Sequence, residues 1–520
     1  MTDAALIRIK ALFTLGVAGV LMTLFTFGIV LRDQEVALLG SATRFVSALG
    51  YSAQYALGVG GGLAGAASAP AVSAEGEQGV ARALPVLVYH GIVARSDRFS
   101  LTEAAFAEQL FALKRAGYQT VTTEEALAFL AGERELPDRS FLLTFDDGRR
   151  DSYERADPIL DALGYTAVMF VATDASIDHP SDRTTYYLHP EELARMQGSG
   201  RWEIMSHARQ VGGGSVALDG AGATGNFLSN RMWLPAEDRL ETEAEYEARV
   251  EDELAGARSA IERLIPGTGF TFSYPFGDYG QQTENEPGAE AVIRAAVERS
   301  YDAAFKQVWQ LDSEYTLNFP NDDRYAVRRI EVETDWSGKE LVSFLAGAAA
   351  KPLPYEETFD VRSAWKSNWG TIEMNDTMLT LRAGNTSTGA FTFLDGTRDW
   401  TDYTFTTNVQ RAEGTAVSLV ARYAAEETMV LCTFNGRSVR LEQRIDGSAT
   451  TVGQGTASGV NEATLGIRVS GASVACLENG EVVTEGRISG SLDRGGIGLR
   501  IWDEPIASAT ASMTSLRVVP

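Results

Sequence analysis

Cysteine, histidine and positive charge are all scarce in this chain of 520 residues. It has two cysteines, four histidines, and 45 Lys and Arg against 70 Asp and Glu, a formal net charge of −25. Two cysteines rule out a disulfide-dense scaffold. Cys432 and Cys476 lie in strand-like runs of the last third, either bridged across neighbouring strands or present as two buried thiols; neither state is catalytic. The histidines are His90, His179, His189 and His207, so a metal centre must also recruit carboxylates. An acidic surface repels phosphate backbones and anionic lipid, which argues against nucleic acid as a partner and suits a neutral or cationic ligand. The length fits two or three domains, and a composition of 44% hydrophobic and 22% charged residues is that of folded protein.

Among uncharged runs, Ala11–Leu31 stands apart with 21 residues. As a helix it spans ~30 Å, the thickness of a bilayer's hydrocarbon core. Arg8 and Lys10 precede it and Asp33 and Glu35 follow, which places the N-terminus in the cytoplasm and the rest of the chain outside, in the periplasm or beyond the cell. The run is longer than a signal peptide's apolar region, and no small-residue cleavage site follows closely, so residues 1–35 read as a cytoplasmic stub and an uncleaved single-pass anchor. Residues 36–83 are rich in Gly, Ala and Ser and read as a flexible linker.

From 84 to 350, strand and helix signals alternate. Val86–Tyr89 leads to His90-Gly91, and a helix follows with Thr102 as its N-cap. Phe141–Phe145 ends in Asp146-Asp147-Gly148. Pro158 divides the next helical stretch. Trp202–Met205 runs into Ser206-His207, and a long helix opens with Thr242 and Glu245 at capping-box spacing. Phe270–Tyr274 ends in Pro275-Phe276-Gly277. Repeated βα units argue for a parallel sheet or barrel with functional groups at the strands' carboxyl ends. Two adjacent carboxylates have no structural use there, because desolvating each costs several kcal/mol unless something compensates. A metal ion compensates one and leaves the other free as a base.

These motifs resemble those of the NodB-homology polysaccharide deacetylases, carbohydrate esterase family 4. Thr144-Phe145-Asp146-Asp147-Gly148 matches the family's TFDDG motif. Pro85–His90 resembles the start of the circularly permuted, poly-N-acetylglucosamine deacetylase branch. Glu203–His207 resembles the histidine motif, and Ser273–Gly277 occupies the RxPYG position. The resemblance implies a distorted (β/α) barrel with fewer than eight repeats. It also implies a divalent metal, zinc above nickel, cobalt or iron, held by Asp147 and His207. Asp146 would be the base, His90 the acid, and the backbone N–H of Phe276 an oxyanion donor, with Tyr274 and Pro275 at the substrate. Two positions depart from the pattern. No histidine follows His207 within five residues, which leaves the third metal ligand open. His189 is a candidate, although its loop setting reads first as a local N-terminal or surface residue. Ser273 replaces an arginine that orients the base, and Arg328 or Arg329 is expected to take over.

From 355 to 520, helical periodicity disappears. Asn435-Gly436, Asp446-Gly447 and Asn479-Gly480 separate alternating strands as hairpin turns. The closing pattern resembles concanavalin- or laminin-G-like jelly rolls, and Trp365, Trp369, Trp400, Tyr403 and Trp502 include a candidate sugar platform, with core packing the better reading for any single one. The expected fold is therefore a transmembrane helix, an α/β barrel and an all-β sandwich. The expected function is metal-dependent N-deacetylation of an extracytoplasmic N-acetylhexosamine polysaccharide. The alternative is a catalytically silent NodB-fold protein that binds, or helps assemble or export, a polysaccharide.

Overall fold

The structure is a computed structural model that describes residues 35–57, 79–179, 186–210, 215–267, 269–310, 312–359, 365–412 and 414–520. Eight parallel strands form the N-terminal body: β1 (Val86–Tyr89), β2 (Gln119–Thr120), β3 (Ser140–Phe145), β4 (Ala167–Val171), β5 (Trp202–Ser206), β6 (Thr271–Ser273), β7 (Ala303–Val308) and β8 (Val327–Glu331). Their order is β1-β8-β7-β6-β5-β4-β3, and β1 also pairs with β3, so seven strands close into a barrel while β2 flanks β3. Closure explains the composition of β3, Ser-Phe-Leu-Leu-Thr-Phe, in which every residue is buried. A strand covered by helices outside and side chains inside needs an almost continuous apolar run.

Helices wrap the barrel: α1 (Glu35–Leu57), α2 (Glu103–Arg115), α3 (Thr123–Leu130), α4 (Arg150–Leu163), α5 (Pro190–Gly198), α6 (Glu243–Leu264), α7 (Ala289–Ser300) and α8 (Gly338–Ala348). The Thr102 cap of α2 and the Thr242–Glu245 capping box of α6 form as expected. Tyr246, Val250, Leu254, Ala257 and Ile261 make the buried stripe of α6. Pro158 does not divide α4; the helix runs through it with Pro158 on its buried side. Packing of Ala156, Ile159, Leu160 and Leu163 into the core outweighs the hydrogen bond a proline lacks.

The expected linker at 36–83 needs correction over its first part, because Glu35–Leu57 is the helix α1. It docks on the barrel's flank: the Arg44 guanidinium lies 5.1 Å from the Tyr153 ring centroid, and the rings of Tyr55 and Phe111 are 5.5 Å apart. Tyr and Phe anchors bury enough apolar surface to order a segment whose Gly, Ala and Ser content reads as flexible. Among the described residues no helix is long and apolar enough to cross a membrane; the Ala11–Leu31 run lies outside them.

The C-terminal body is antiparallel. One sheet orders β9 (Trp365–Trp369), β12 (Gly389–Leu394), β21 (Gly496–Trp502), β14 (Ala416–Ala425), β15 (Thr428–Asn435), β16 (Ser438–Ile445) and β17 (Ser448–Thr456). The other orders β10 (Thr371–Asn375), β11 (Met378–Arg382), β22 (Thr510–Val519), β13 (Tyr403–Arg411), β18 (Glu462–Ser470), β19 (Ser473–Glu478) and β20 (Glu481–Arg487). Leu419, Ile467, Leu499 and Met513 from both sheets share one core. Cys432 and Cys476 are disulfide-bonded, and the bond joins β15 of one sheet to β19 of the other rather than two neighbouring strands. Asp446-Gly447 and Asn479-Gly480 both take positive φ at both positions, as tight hairpin turns require.

The segment between β7 and β8 ties the two bodies together. The Tyr315 hydroxyl donates to Tyr423 O at 2.9 Å, Lys366 Nζ donates to Glu314 O at 2.7 Å, and the Thr316 N–H reaches the Asp395 carboxylate at 3.2 Å.

Candidate active site

β3 delivers Asp146 and Asp147 to the barrel's carboxyl end and then turns sharply, with φ of 73° at Asp147 and 69° at Gly148. A non-glycine residue held there carries about 1 kcal/mol or more of backbone strain, which concentrates at functional positions. A Cβ on Gly148 would meet Ser176 Oγ at 3.0 Å and Val171 Cγ1 at 3.1 Å, so this turn needs glycine twice over.

Asp146 is buried and clamped. Arg329 Nη1 and Nη2 donate to its two carboxylate oxygens at 2.6 and 2.8 Å, and the Ser273 hydroxyl lies 3.3 Å from Oδ2. Arg329 Nη2 also donates to Ser273 Oγ at 2.6 Å. Burial pushes the Asp146 carboxyl up, but the Arg329 guanidinium outweighs it and holds the group well below the usual carboxylate range. Of the two candidate arginines, only Arg329 faces the site. Arg328 points the other way, donating to Leu317 O at 2.7 Å and pairing with Asp322. Adjacent strand residues take opposite faces, and the pleat makes the choice. Ser273 is short enough to leave Arg329 room to reach Asp146 from β8.

His207, at the end of β5, bonds through Nδ1 to Ser273 O at 3.0 Å. A carbonyl only accepts, so Nδ1 carries the proton and Nε2 keeps its lone pair. Nε2 lies 3.7 Å from Asp147 Oδ1 and 4.0 Å from Asp146 Oδ2. Two ligands on one tetrahedral zinc stand ~3.4 Å apart, so His207 and Asp147 fit as a pair of donors, oriented as metal-binding histidines are. A third donor is not found: among the described residues no group of three or more His, Cys, Asp or Glu side chains is placed to hold a metal. His189 joins no such group. It is the N-cap of α5, its N–H donating to the Glu192 carboxylate at 3.0 Å.

His90 follows β1, which pairs with both β3 and β8. Its Nδ1 lies 3.4 Å from Glu331 Oε1, and Gln307 donates to the other Glu331 oxygen. Burial works against protonation of His90, but Glu331 chiefly, with Asp146 and Asp147, raises its pKa to about 9. Neither Glu331 nor Gln307 was singled out from the sequence. The available signal was period two in β8, since Glu331 shares a face with Arg329.

Phe276 has φ of 59° and its ring is 52% exposed. The turn's own hydrogen bonds run from Gly277 N to Tyr274 O and from Asp278 N to Pro275 O, leaving the Phe276 N–H unpaired among the described residues. Pro275 and Phe276 line a small cleft with Ala208 and Gln210, next to His207. The expectation that Tyr274 meets substrate is corrected: its ring is in the core and its hydroxyl donates to Tyr325 O at 3.1 Å. Strand alternation turns Tyr274 inward once Ser273 faces the site.

Residues 133–290 of this closed parallel barrel match a family profile described as polysaccharide deacetylase. The matched span holds Asp146, Asp147, His207 and Phe276; His90 and Arg329 lie on either side of it. The chain is 28% identical over 199 residues to the poly-β-1,6-N-acetyl-D-glucosamine N-deacetylase of Escherichia coli K12, a match covering 36% of this chain and 29% of that protein. Such N-deacetylases are hydrolases of carbon–nitrogen bonds other than peptide bonds. Among solved structures, a de-N-acetylase from Aggregatibacter actinomycetemcomitans aligns at 21% identity and a TM-score of 0.43, over 50% of this chain and 99% of that one. A carbohydrate-binding module from Bacillus subtilis aligns at 16% identity and a TM-score of 0.26, over 30% of this chain and 95% of that one.

Proposed function

We propose that the chain is a metal-dependent deacetylase that hydrolyses N-acetyl groups of an N-acetylhexosamine polysaccharide outside the cytoplasm. We also propose that Ala11–Leu31 anchors it in the membrane and that the C-terminal body is a jelly roll. The observation that carries the reading is the pairing of a clamped, buried Asp146 with a proton-loaded His90 across one strand-end cluster. Asp147 and His207 would hold the cation, which supplies Lewis acidity toward the acetyl carbonyl and the attacking water. A carboxylate held as low as Asp146 is a weak base, and that is the physical reason a cation belongs in the proposal.

The protein's residues then divide the work. Arg329 and Ser273 aim Asp146, which takes a proton from water as the water oxygen bonds to the acetyl carbon. The Phe276 N–H stabilises the oxyanion that develops, a donor of the kind worth about 3–4 kcal/mol in other hydrolases. His90, protonated beside Glu331, gives its proton to the amide nitrogen as the carbon–nitrogen bond breaks, releasing acetate and a free amine. Asp146 and His90 exchange protons with solvent to reset.

The silent-binder reading is favoured by one observation, the lack of a third metal donor among the described residues. Metal content and acetate release from β-1,6-linked N-acetylglucosamine oligomers, for wild type and Asp146→Asn, decide between the two. Bound metal with release abolished in the variant supports the enzyme; neither metal nor acetate supports the binder.

A further inference from the structure

Five aromatics of the C-terminal body were candidates for a sugar platform, and the structure sorts them. Trp365, Trp400 and Tyr403 are core residues. Trp369 is half-buried at the edge of the seven-stranded sheet, and Trp502 is 38% exposed on the same sheet. They are neighbours. Trp502 is the cross-strand partner of Gly389, and a Cβ built on Gly389 would lie 3.2 Å from the Trp369 ring. A residue without a side chain thus stands between the two indoles and lets the Trp369 ring lie close over the β12 backbone, on the side of Trp502.

Arg500 completes the group. It stands on the same face as Trp502, two residues before it on β21, directly opposite Phe391, which in turn pairs with Trp369. Its guanidinium lies 5.5 Å from the Trp369 ring centroid. Among the described residues it donates to no oxygen. Its neighbours differ: Arg440 and Arg444 both sit on the Glu442 carboxylate, at 3.3 and 3.0 Å. The donors of Arg500 are thus left to water or a ligand, in a chain with 25 more acidic than basic residues.

This face leads towards the barrel's mouth. Trp309, 40% exposed, directly follows the carboxyl end of β7. Four residues on, Ser313 O accepts from the Tyr423 hydroxyl at 3.3 Å, and that hydroxyl accepts from Asn368 Nδ2, the neighbour of Trp369, at 3.0 Å. Four residues reach at most ~14 Å, so one polymer can lie along both places.

We propose that Trp369, Arg500 and Trp502 form a second polysaccharide-binding site, which holds an acetylated stretch of the polymer whose reacting unit lies in the barrel. This rests on the deacetylase reading above. Indole faces take the apolar faces of pyranose rings, and the guanidinium donates to hydroxyl and acetamido oxygens. Arg440 and Arg444 are offset by Glu442 and Glu427, which leaves Arg500 as the uncompensated charge; it disfavours ammonium groups beside the indoles, so the site selects polymer not yet processed.

The test uses the full chain and β-1,6-linked poly-N-acetylglucosamine of long and short length. Trp502→Ala and Arg500→Gln are expected to raise KM for the long polymer at least fivefold, with kcat within twofold of wild type. Arg468→Ala, on the other sheet, serves as control. Tryptophan fluorescence titration with the same polymer reads the site directly, whether or not acetate is released. Wild-type affinity and KM in both variants would overturn the proposal. Polymer binding lost in both variants of a protein that releases no acetate would instead sink the deacetylase reading and leave the site standing.

Discussion

Asp146 and Glu331 act through different partners, so their substitutions have separable outcomes. Asp146→Asn removes the proton acceptor while keeping its shape, and acetate release is expected to fall by about 10²–10⁴-fold, the usual share of a general base. Glu331→Gln leaves the base intact and removes the charge that loads His90. With Glu331, His90 keeps its proton up to about pH 9 against an ordinary value of 6.5, so activity in wild type should decline only as pH rises through about 9. In the variant that alkaline limb should move down toward the ordinary histidine range. The same linkage acts on stability: the raised pKa contributes below pH 6.5 and its contribution is lost as pH rises through about 9. Thermal unfolding between pH 6 and 10 reads this, with Glu331→Gln showing the flatter profile. Asp146, Asp147, His90 and His207 could be picked out in the sequence because they stand at the ends of three apolar strands. Which arginine served the base was not, since Arg328 and Arg329 are adjacent and only the registry of β8 in the closed barrel separates them.

At the level of elements, the disulfide and the helix caps carry the clearest expectations. Cys432 and Cys476 are 44 positions apart in sequence and staple opposite sheets. Removing the bond with Cys432→Ala and Cys476→Ala should cost up to about 4 kcal/mol by the loop-entropy relation, read as a lower denaturant midpoint. The Thr242 cap of α6 is exposed and satisfies the Glu245 N–H, so Thr242→Ala should cost ~1 kcal/mol and leave acetate release unchanged. Caps, turns and the α6 stripe were readable because each depends on a few neighbouring residues. The pairing of the cysteines was not, because hairpin signals reveal which strands are consecutive but not which sheets face each other. The α1 helix escaped for a related reason: its composition is that of a linker, and what orders it is contact with Tyr153 and Phe111, more than fifty residues away.

The two bodies share a buried polar boundary rather than a tether. Tyr315, inserted between β7 and β8 of the barrel, packs on Phe393 at 5.1 Å and donates across to Tyr423. Cutting the chain at residue 350 would leave Tyr315, Thr316 and Glu314 without those partners. The expected outcome is a barrel fragment that unfolds at lower temperature and with a broader transition than the full chain, measured by calorimetry.

β1 and β8 are the first and last strands of the barrel, and they lie side by side, so His90 meets Glu331 only across the seam where the ring shuts. A chain built this way brings His90 to Glu331 only once the strand that carries Glu331 has folded back against the first. Under the function proposed above, a chain threaded through a membrane as it is synthesised would begin to cut acetyl groups only after passage, once the half that supplies the acid meets the half that charges it.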